Sequence, residues 1–165
     1  MRHKIFVPVL ALLTLFVMGS CSSSKSASQN VKKKDIRGTW TVSSVSIEGL
    51  AAGTKIKTVA FDDVPYECFQ GSQWYLPNSG FGTYNIASAN CMTGERKINW
   101  SFRTKDGVNY FNFKKMDGVK RKDANDVDDG YRLVITDITD NGFIAKSPVV
   151  FEGKTIYFVY NFVKG

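Results

Sequence analysis

The sequence predicts an all-β domain, an antiparallel barrel or sandwich of eight or nine short strands. Runs of β-branched and aromatic residues recur along the chain, separated by turn signals. Glycine is frequent (14 residues) and proline scarce (4), and no long stretch carries the spacing of an amphipathic helix. The last run, Ile156 to Val163, is apolar on both faces. An open sheet with one wet face would alternate, so a closed barrel whose last strand is covered on its outside is expected.

The chain begins with a segment that is not part of this domain. Arg2, His3 and Lys4 form a positive start, Ile5 to Met18 is almost continuously apolar, and Gly19-Ser20 precedes Cys21. This is the pattern of a secretory signal over residues 1–20. The apolar run is short for a membrane-spanning helix, which needs about 20 residues. Val17-Met18-Gly19-Ser20-Cys21 resembles the lipobox of bacterial lipoproteins, with Met18 where leucine is commoner. The resemblance implies a diacylglycerol thioether on Cys21, cleavage before it and acylation of the new N-terminus. The alternative is an ordinary signal with a stray cysteine.

Residues 21–35 then read as the lipidated cysteine and a flexible linker. From Ser22 to Lys34 there is one branched apolar residue, Val31, and no aromatic, too little to bury a core. Lys32, Lys33 and Lys34 either solvate the linker, the reading we favour, or touch anionic headgroups. Ser22 stands where enteric bacteria place aspartate for inner-membrane retention, and no acidic residues follow to mark surface export. An outer-membrane anchor facing the periplasm is expected.

Residues 36–165 make one domain with one core. Ile36 to Glu48 is the first strand. Trp40 and Val42 fall on one face and Val45 and Ile47 on the other, which calls for a bulge or bend near Ser43-Ser44. Lys55 to Phe61 is ambiguous between strand and short helix. Tyr66 to Leu76 reads as a strand, turned at 77–80 into a partner over Phe81 to Ala87. Ile98 to Thr104 alternates cleanly and turns at Lys105-Asp106-Gly107 into the strand carrying Phe111 and Phe113. Gly118 to Asp129 is a long polar connection with room for one helical turn around 124–127. Tyr131 to Ile138, Phe143 to Phe151 and Thr155 to Val163 complete the set, with turns at Asp140-Asn141-Gly142 and Glu152-Gly153-Lys154.

Composition excludes several functions. The formal charge is +7, falling to about +5 once Arg2 and Lys4 leave with the signal. No basic run interleaves with aromatics along one face, so nucleic-acid binding is not expected. The only histidine, His3, is lost with the signal. That removes a Ser-His-Asp triad, a Cys-His pair and a histidine metal site. With Cys21 lipidated, Cys68 and Cys91 remain in a disulfide-permissive compartment. Paired, they close a loop worth roughly 3 kcal/mol by chain entropy; the alternative is two buried thiols. A metal site with two cysteines and no histidine is not expected.

Gly38-Thr39-Trp40 at the start of the first strand resembles the lipocalin Gly-x-Trp signature. A wider pattern is similar to lipocalin-like lipoproteins of Gram-negative anaerobes. It comprises Cys68-Phe69-Gln70-Gly71-Ser72-Gln73-Trp74, Asn78-Ser79-Gly80, Gly82-Thr83-Tyr84, Cys91, Arg96 to Trp100 and Gly130-Tyr131. The resemblance covers nearly the whole domain and implies an eight-stranded up-and-down barrel with Gly38 and Trp40 at its closed end. Lipocalins place an arginine near the last strand to cover that tryptophan; here Lys164 stands there and no C-terminal helix follows.

An eight-stranded barrel is just wide enough to be filled or to hold one small ligand. Aromatics make up 13% of the chain. Trp74, Trp100, Phe102, Phe111, Phe113, Phe158 and Tyr160 are candidate ligand-lining residues, the alternative being that they are simply packed core. Asp123, Asp126, Asp128 and Asp129 could hold Ca²⁺, but their spacing is not that of an EF-hand, and Lys120, Arg121 and Lys122 beside them favour a solvated acidic loop. Carboxylates clustered in an exposed loop keep ordinary acidity, so no enzyme is expected. The leading expectation is a membrane-tethered, monomeric carrier of a small hydrophobic ligand, without a cofactor. The alternative is a periplasmic protein-interaction module or inhibitor with a filled barrel.

Overall fold

The computed structural model describes residues 25–26, 31–51, 53–54, 56–118, 127 and 129–165. In chain order the strands are β1 (Lys25–Ser26), β2 (Gly38–Glu48), β3 (Val59–Ala60), β4 (Val64–Pro65), β5 (Gln73–Leu76), β6 (Phe81–Ile86), β7 (Gly94–Lys105), β8 (Val108–Lys115), β9 (Tyr131–Ile138), β10 (Gly142–Phe151) and β11 (Lys154–Lys164). Eight of them, β2 and β5 to β11, pair antiparallel with their neighbours, and β11 returns to β2. The result is a closed up-and-down β-barrel of lipocalin-like architecture. β3 and β4 form a separate two-stranded ribbon, and β1 pairs with the end of β9 at Asp137 and Ile138.

The hairpin chemistry explains several joints. Asp106 and Gly107 take φ of 51° and 76°, and Glu152 and Gly153 take 49° and 74°. Two successive left-handed residues match the right-handed twist of the flanking strands. The bulge expected in the first strand is present. Asn161 pairs with Ser44 and Phe162 with Val42, leaving Ser43 without a partner across from β11. Its hydroxyl donates instead to the Asn161 carbonyl at 3.1 Å. The extra residue resets the alternation, so Val45 and Ile47 return to the interior that Trp40 and Val42 face.

Three expectations need correction. Tyr66 to Leu76 is not one strand: Tyr66–Phe69 is a 3-10 turn and only Gln73–Leu76 is extended. Tyr66, Cys68 and Phe69 are all buried, and a consecutive buried set is what a turn tucked under a sheet produces, not an alternating strand. The ambiguous segment ending at Phe61 yields only the two-residue β3. The last strand is only partly covered outside. Val159 is buried beneath the Lys146–Glu48 ion pair, which joins β10 to β2 across it, while Tyr157 and Val163 stay exposed. Of the helical turn expected around 124–127, only Val127, which is buried and not helical, lies among the described residues.

β9 pairs with β10 only over Phe143 to Lys146, so Ser147 to Phe151 have no strand on that side among the described residues. The Thr139 N–H donates to the Gly142 carbonyl at 2.8 Å. Strand alternation then turns the main-chain groups of Gly142, Ile144, Lys146, Pro148 and Val150 toward that side. Pro148 therefore sits where its missing N–H faces the open edge, the place where proline blunts unwanted strand pairing.

Candidate functional site

The lower end of the barrel, where β2 begins, is closed by the segment entering it. Residues 33–35 form a 3-10 turn and Ile36 is fully buried. Gly38 takes φ +133°, a conformation that suits glycine, and lets the chain turn up into β2. Trp40 is buried, its Nε1 donating to the Ile36 carbonyl at 2.9 Å. Lys33 lies 4.8 Å from the Trp100 ring centroid and donates to the Asn78 carbonyl at 3.0 Å. Lys164 is opposite Trp40 in register, but its amine donates to the Asp140 carbonyl.

The interior is a column of rings. Trp40 meets Phe143 edge-on at 5.0 Å, Phe143 stacks on Phe162 at 4.3 Å, and Phe162 meets Trp74 at 5.7 Å. Trp74 meets Phe113 at 5.3 Å and Phe113 meets Phe61 at 4.9 Å. Phe61 then stacks on Tyr160 at 5.4 Å. Of the candidate lining residues, Trp74, Trp100, Phe111, Phe113, Phe158 and Tyr160 are all fully buried, and Phe102 is half-buried against the same core. The fold brings them together, but they pack on one another. Trp100 leans on Phe111, Phe111 stacks on Phe113, and Phe158 stacks on Tyr66.

The upper end is closed by the connection from β2 to β5, which carries the β3–β4 ribbon and the 3-10 turn of Tyr66–Phe69. Its tip is a plug. Phe61 and Asp62 take φ of 55° and 46°, and the Asp63 N–H donates to the Ala60 carbonyl at 3.2 Å. A bulky residue in the left-handed region costs roughly 1–3 kcal/mol and persists only where its surroundings impose it. Here a clamp on the barrel rim does so. Asp63 accepts from Arg96 through both oxygens, at 2.9 and 3.1 Å, and from the Tyr84 hydroxyl at 2.6 Å. Arg96 also donates to the Gly94 and Met92 carbonyls. Asp62 accepts from the Tyr131 hydroxyl at 2.9 Å, and its carbonyl accepts from Lys115. The Cys68–Cys91 disulfide is formed and ties the 3-10 turn to the β6–β7 connection.

Burial comes first among the causes that raise the Tyr84 and Tyr131 hydroxyls well above their ordinary range, with the hydrogen bonds to Asp63 and Asp62 adding to it. Tyr160 is raised by burial alone. Its hydroxyl and the Trp100 Nε1 are buried with no hydrogen-bond partner among the described residues, an arrangement that costs free energy.

Sequence reading missed Phe61, Asp62, Asp63, Tyr84, Arg96 and Tyr131 as a working group. They come from four separate stretches of chain, and no local spacing links them. Cys21, Asp123, Asp126 and Asp128 lie outside the described residues; Asp129 is exposed. No group of three or more His, Cys, Asp or Glu placed to hold a metal occurs among the described residues, and no helix among them is long and apolar enough to cross a membrane. Comparison with known protein families, curated proteins and solved structures finds no match to this chain.

Proposed function

We propose that this chain is an envelope lipoprotein, anchored through lipid on Cys21 and facing the periplasm from the outer membrane, whose barrel is a solid scaffold for protein contact. The reading rests on the ring column from Trp40 to Phe61 and Tyr160, which occupies the interior that a carrier would keep for its cargo. The linker enters at the lower end, so the plug end points away from the point of attachment. That far end carries Val59 at 53% exposure and Met92 at 72%, large apolar side chains left in water on loops held rigidly by the clamp and the disulfide. Isolated exposed apolar residues are common, but placement on a braced loop end suits a contact surface. The protein works as a monomer without a cofactor and carries out no chemistry.

One observation favours a carrier as the second reading. Tyr160 offers an unpaired buried hydroxyl beside Phe61, and a small apolar ligand that displaced Phe61 would find it. Native mass spectrometry of the full chain, followed by organic extraction, separates the two. A bare protein mass that stays bare after incubation with fatty acids and hydrophobic dyes is the expected result. A co-purified apolar molecule at one per chain, lost on Phe113→Ala, would overturn the scaffold reading in favour of the carrier.

A further inference from the structure

The charge on the outside of the barrel is concentrated on one side. Trp100 and Phe102 of β7, Phe111 and Phe113 of β8, and Leu133 of β9 belong to the core. Alternation therefore turns Lys97, Arg103 and Lys105 of β7, Lys114 of β8 and Arg132 of β9 to the outside. No Asp or Glu occurs in 97–105, 108–115 or 131–136; Glu95, Asp106 and Asp137 stand at the strand ends. The other faces differ. β5 and β6 present Gln73, Tyr75, Thr83 and Asn85, all uncharged, and across β10, β11 and β2 Lys146 is paired with Glu48. The exposed large apolar side chains, Val59, Tyr75, Met92, Val150, Tyr157 and Val163, all lie off the cationic face. At the centre of that face Ser101 stands opposite Asn112, and Asn112 opposite Arg132. Both Ser101 and Asn112 point outward, yet the Ser101 hydroxyl and the Asn112 Oδ1 are buried with no hydrogen-bond partner among the described residues. Two such stranded groups cost free energy. A hydroxyl-bearing ligand group would meet both, accepting from one and donating to the other.

From this asymmetry we infer that the outer face of β7, β8 and β9 docks on an anionic lipid bilayer, its lysines and arginines meeting headgroup phosphates. The inference rests on the envelope placement proposed above, which keeps a bilayer within reach of the chain and nucleic acid out of it. A protein partner needs an apolar centre to its interface, and this face has no exposed large apolar side chain among the described residues. Phosphates at a bilayer surface need only cations spread over a plane, each adding to the attraction. Docked on this side, the barrel keeps its plug end and the face of β10, β11 and β2 free for protein contact.

The test reconstitutes the full chain with two kinds of vesicle: neutral phosphatidylcholine, and phosphatidylcholine mixed with phosphatidylglycerol, whose headgroup offers a phosphate and free hydroxyls. Flotation with the neutral vesicles reports the anchor by itself. Lysine acetylation read by mass spectrometry then reports the face. Lys97, Lys105 and Lys114 should react roughly fivefold or more slowly on the anionic vesicles. Lys57, at the plug end, and Lys154, in the turn between β10 and β11, should react alike on both. At about 1 M salt, where screening acts within ~3 Å, the difference should vanish. Lys114→Glu combined with Arg132→Glu should abolish it at Lys97 and Lys105, while thermal unfolding stays within a few degrees of wild type. Equal labelling on the two vesicles, or equal slowing at Lys57 and Lys154, overturns the docking face. So does the same slowing by inorganic phosphate with neutral vesicles, which would make the site one for a free anion. A chain that does not float with neutral vesicles but shows the protection on anionic ones overturns the anchor and leaves the face standing.

Discussion

The ring of Phe61, carried on a left-handed backbone at φ +55°, stacks on the ring of Tyr160 with centroids 5.4 Å apart. A side chain from the connecting loop thereby completes a column otherwise built by barrel strands. The same turn presents Asp62 and Asp63 to the rim. Apolar plug and polar clamp are therefore one device, and each depends on the other's geometry.

Truncating the plug should reverse the usual ranking of small residues. Phe61→Ala is expected to destabilise the barrel by about 3–5 kcal/mol, the range for emptying a buried phenylalanine site. Phe61→Gly removes more of the side chain, yet it should be the more stable of the two by about 1 kcal/mol, because glycine accepts the left-handed conformation without strain. Urea unfolding of both variants checks this. A glycine variant clearly weaker than the alanine one would mean that the turn is not strained.

The clamp should behave as a unit. Asp63 and Arg96 are 11% and 10% exposed at their side chains, so Asp63→Asn strands a nearly buried guanidinium and should cost about 3 kcal/mol. Tyr84→Phe removes one charge-assisted hydrogen bond, worth about 2 kcal/mol. A double-mutant cycle should give a combined loss smaller than the sum of the two. Strict additivity would mean that the Tyr84 hydroxyl and Arg96 do not act through the same carboxylate.

Deleting Ser43 should be tolerated better than deleting another residue of the strand. Removing the unpartnered residue leaves Trp40, Val42, Val45 and Ile47 in strict alternation, so all four keep facing the interior. We expect a loss within about 1 kcal/mol, against about 1–2 kcal/mol for deleting Ser46, which turns Ile47 out of the interior. Chemical denaturation of the two deletion variants provides the comparison.

Alkaline stability should report the buried tyrosines. Tyr84, Tyr131 and Tyr160 hold their protons more tightly in the folded chain than the ordinary value of 10.0, mainly because burial disfavours the phenolate. The folded state thus binds more protons than the unfolded one once pH passes that value. Their contribution is fully present below pH 10.0 and falls as pH rises above it. Phenolate absorbance for these three should appear together with loss of tertiary circular dichroism. Ionisation of all tyrosines before any unfolding would contradict their burial.

Much of the scaffold was legible in the sequence because strand patterns and tight turns are local physics. The Asp106-Gly107 and Glu152-Gly153 hairpins, the alternation of Ile98 to Thr104 and the bulge after Val42 all follow from residues within a few positions of one another. The Cys68–Cys91 pairing is not local, the two standing 23 positions apart, and was legible only through the expectation that Cys21 carries lipid. Tertiary structure decided the rest. Whether an eight-stranded barrel is hollow or filled depends on which rings meet across it. Phe61 comes from a loop whose sequence says nothing of a plug. That a phenylalanine would accept φ +55° follows only from the carboxylates beside it finding Arg96, Tyr84 and Tyr131 on three other strands. The open edge of β10 likewise depends on where the neighbouring strand stops, a property of register across the whole sheet and not of any one segment.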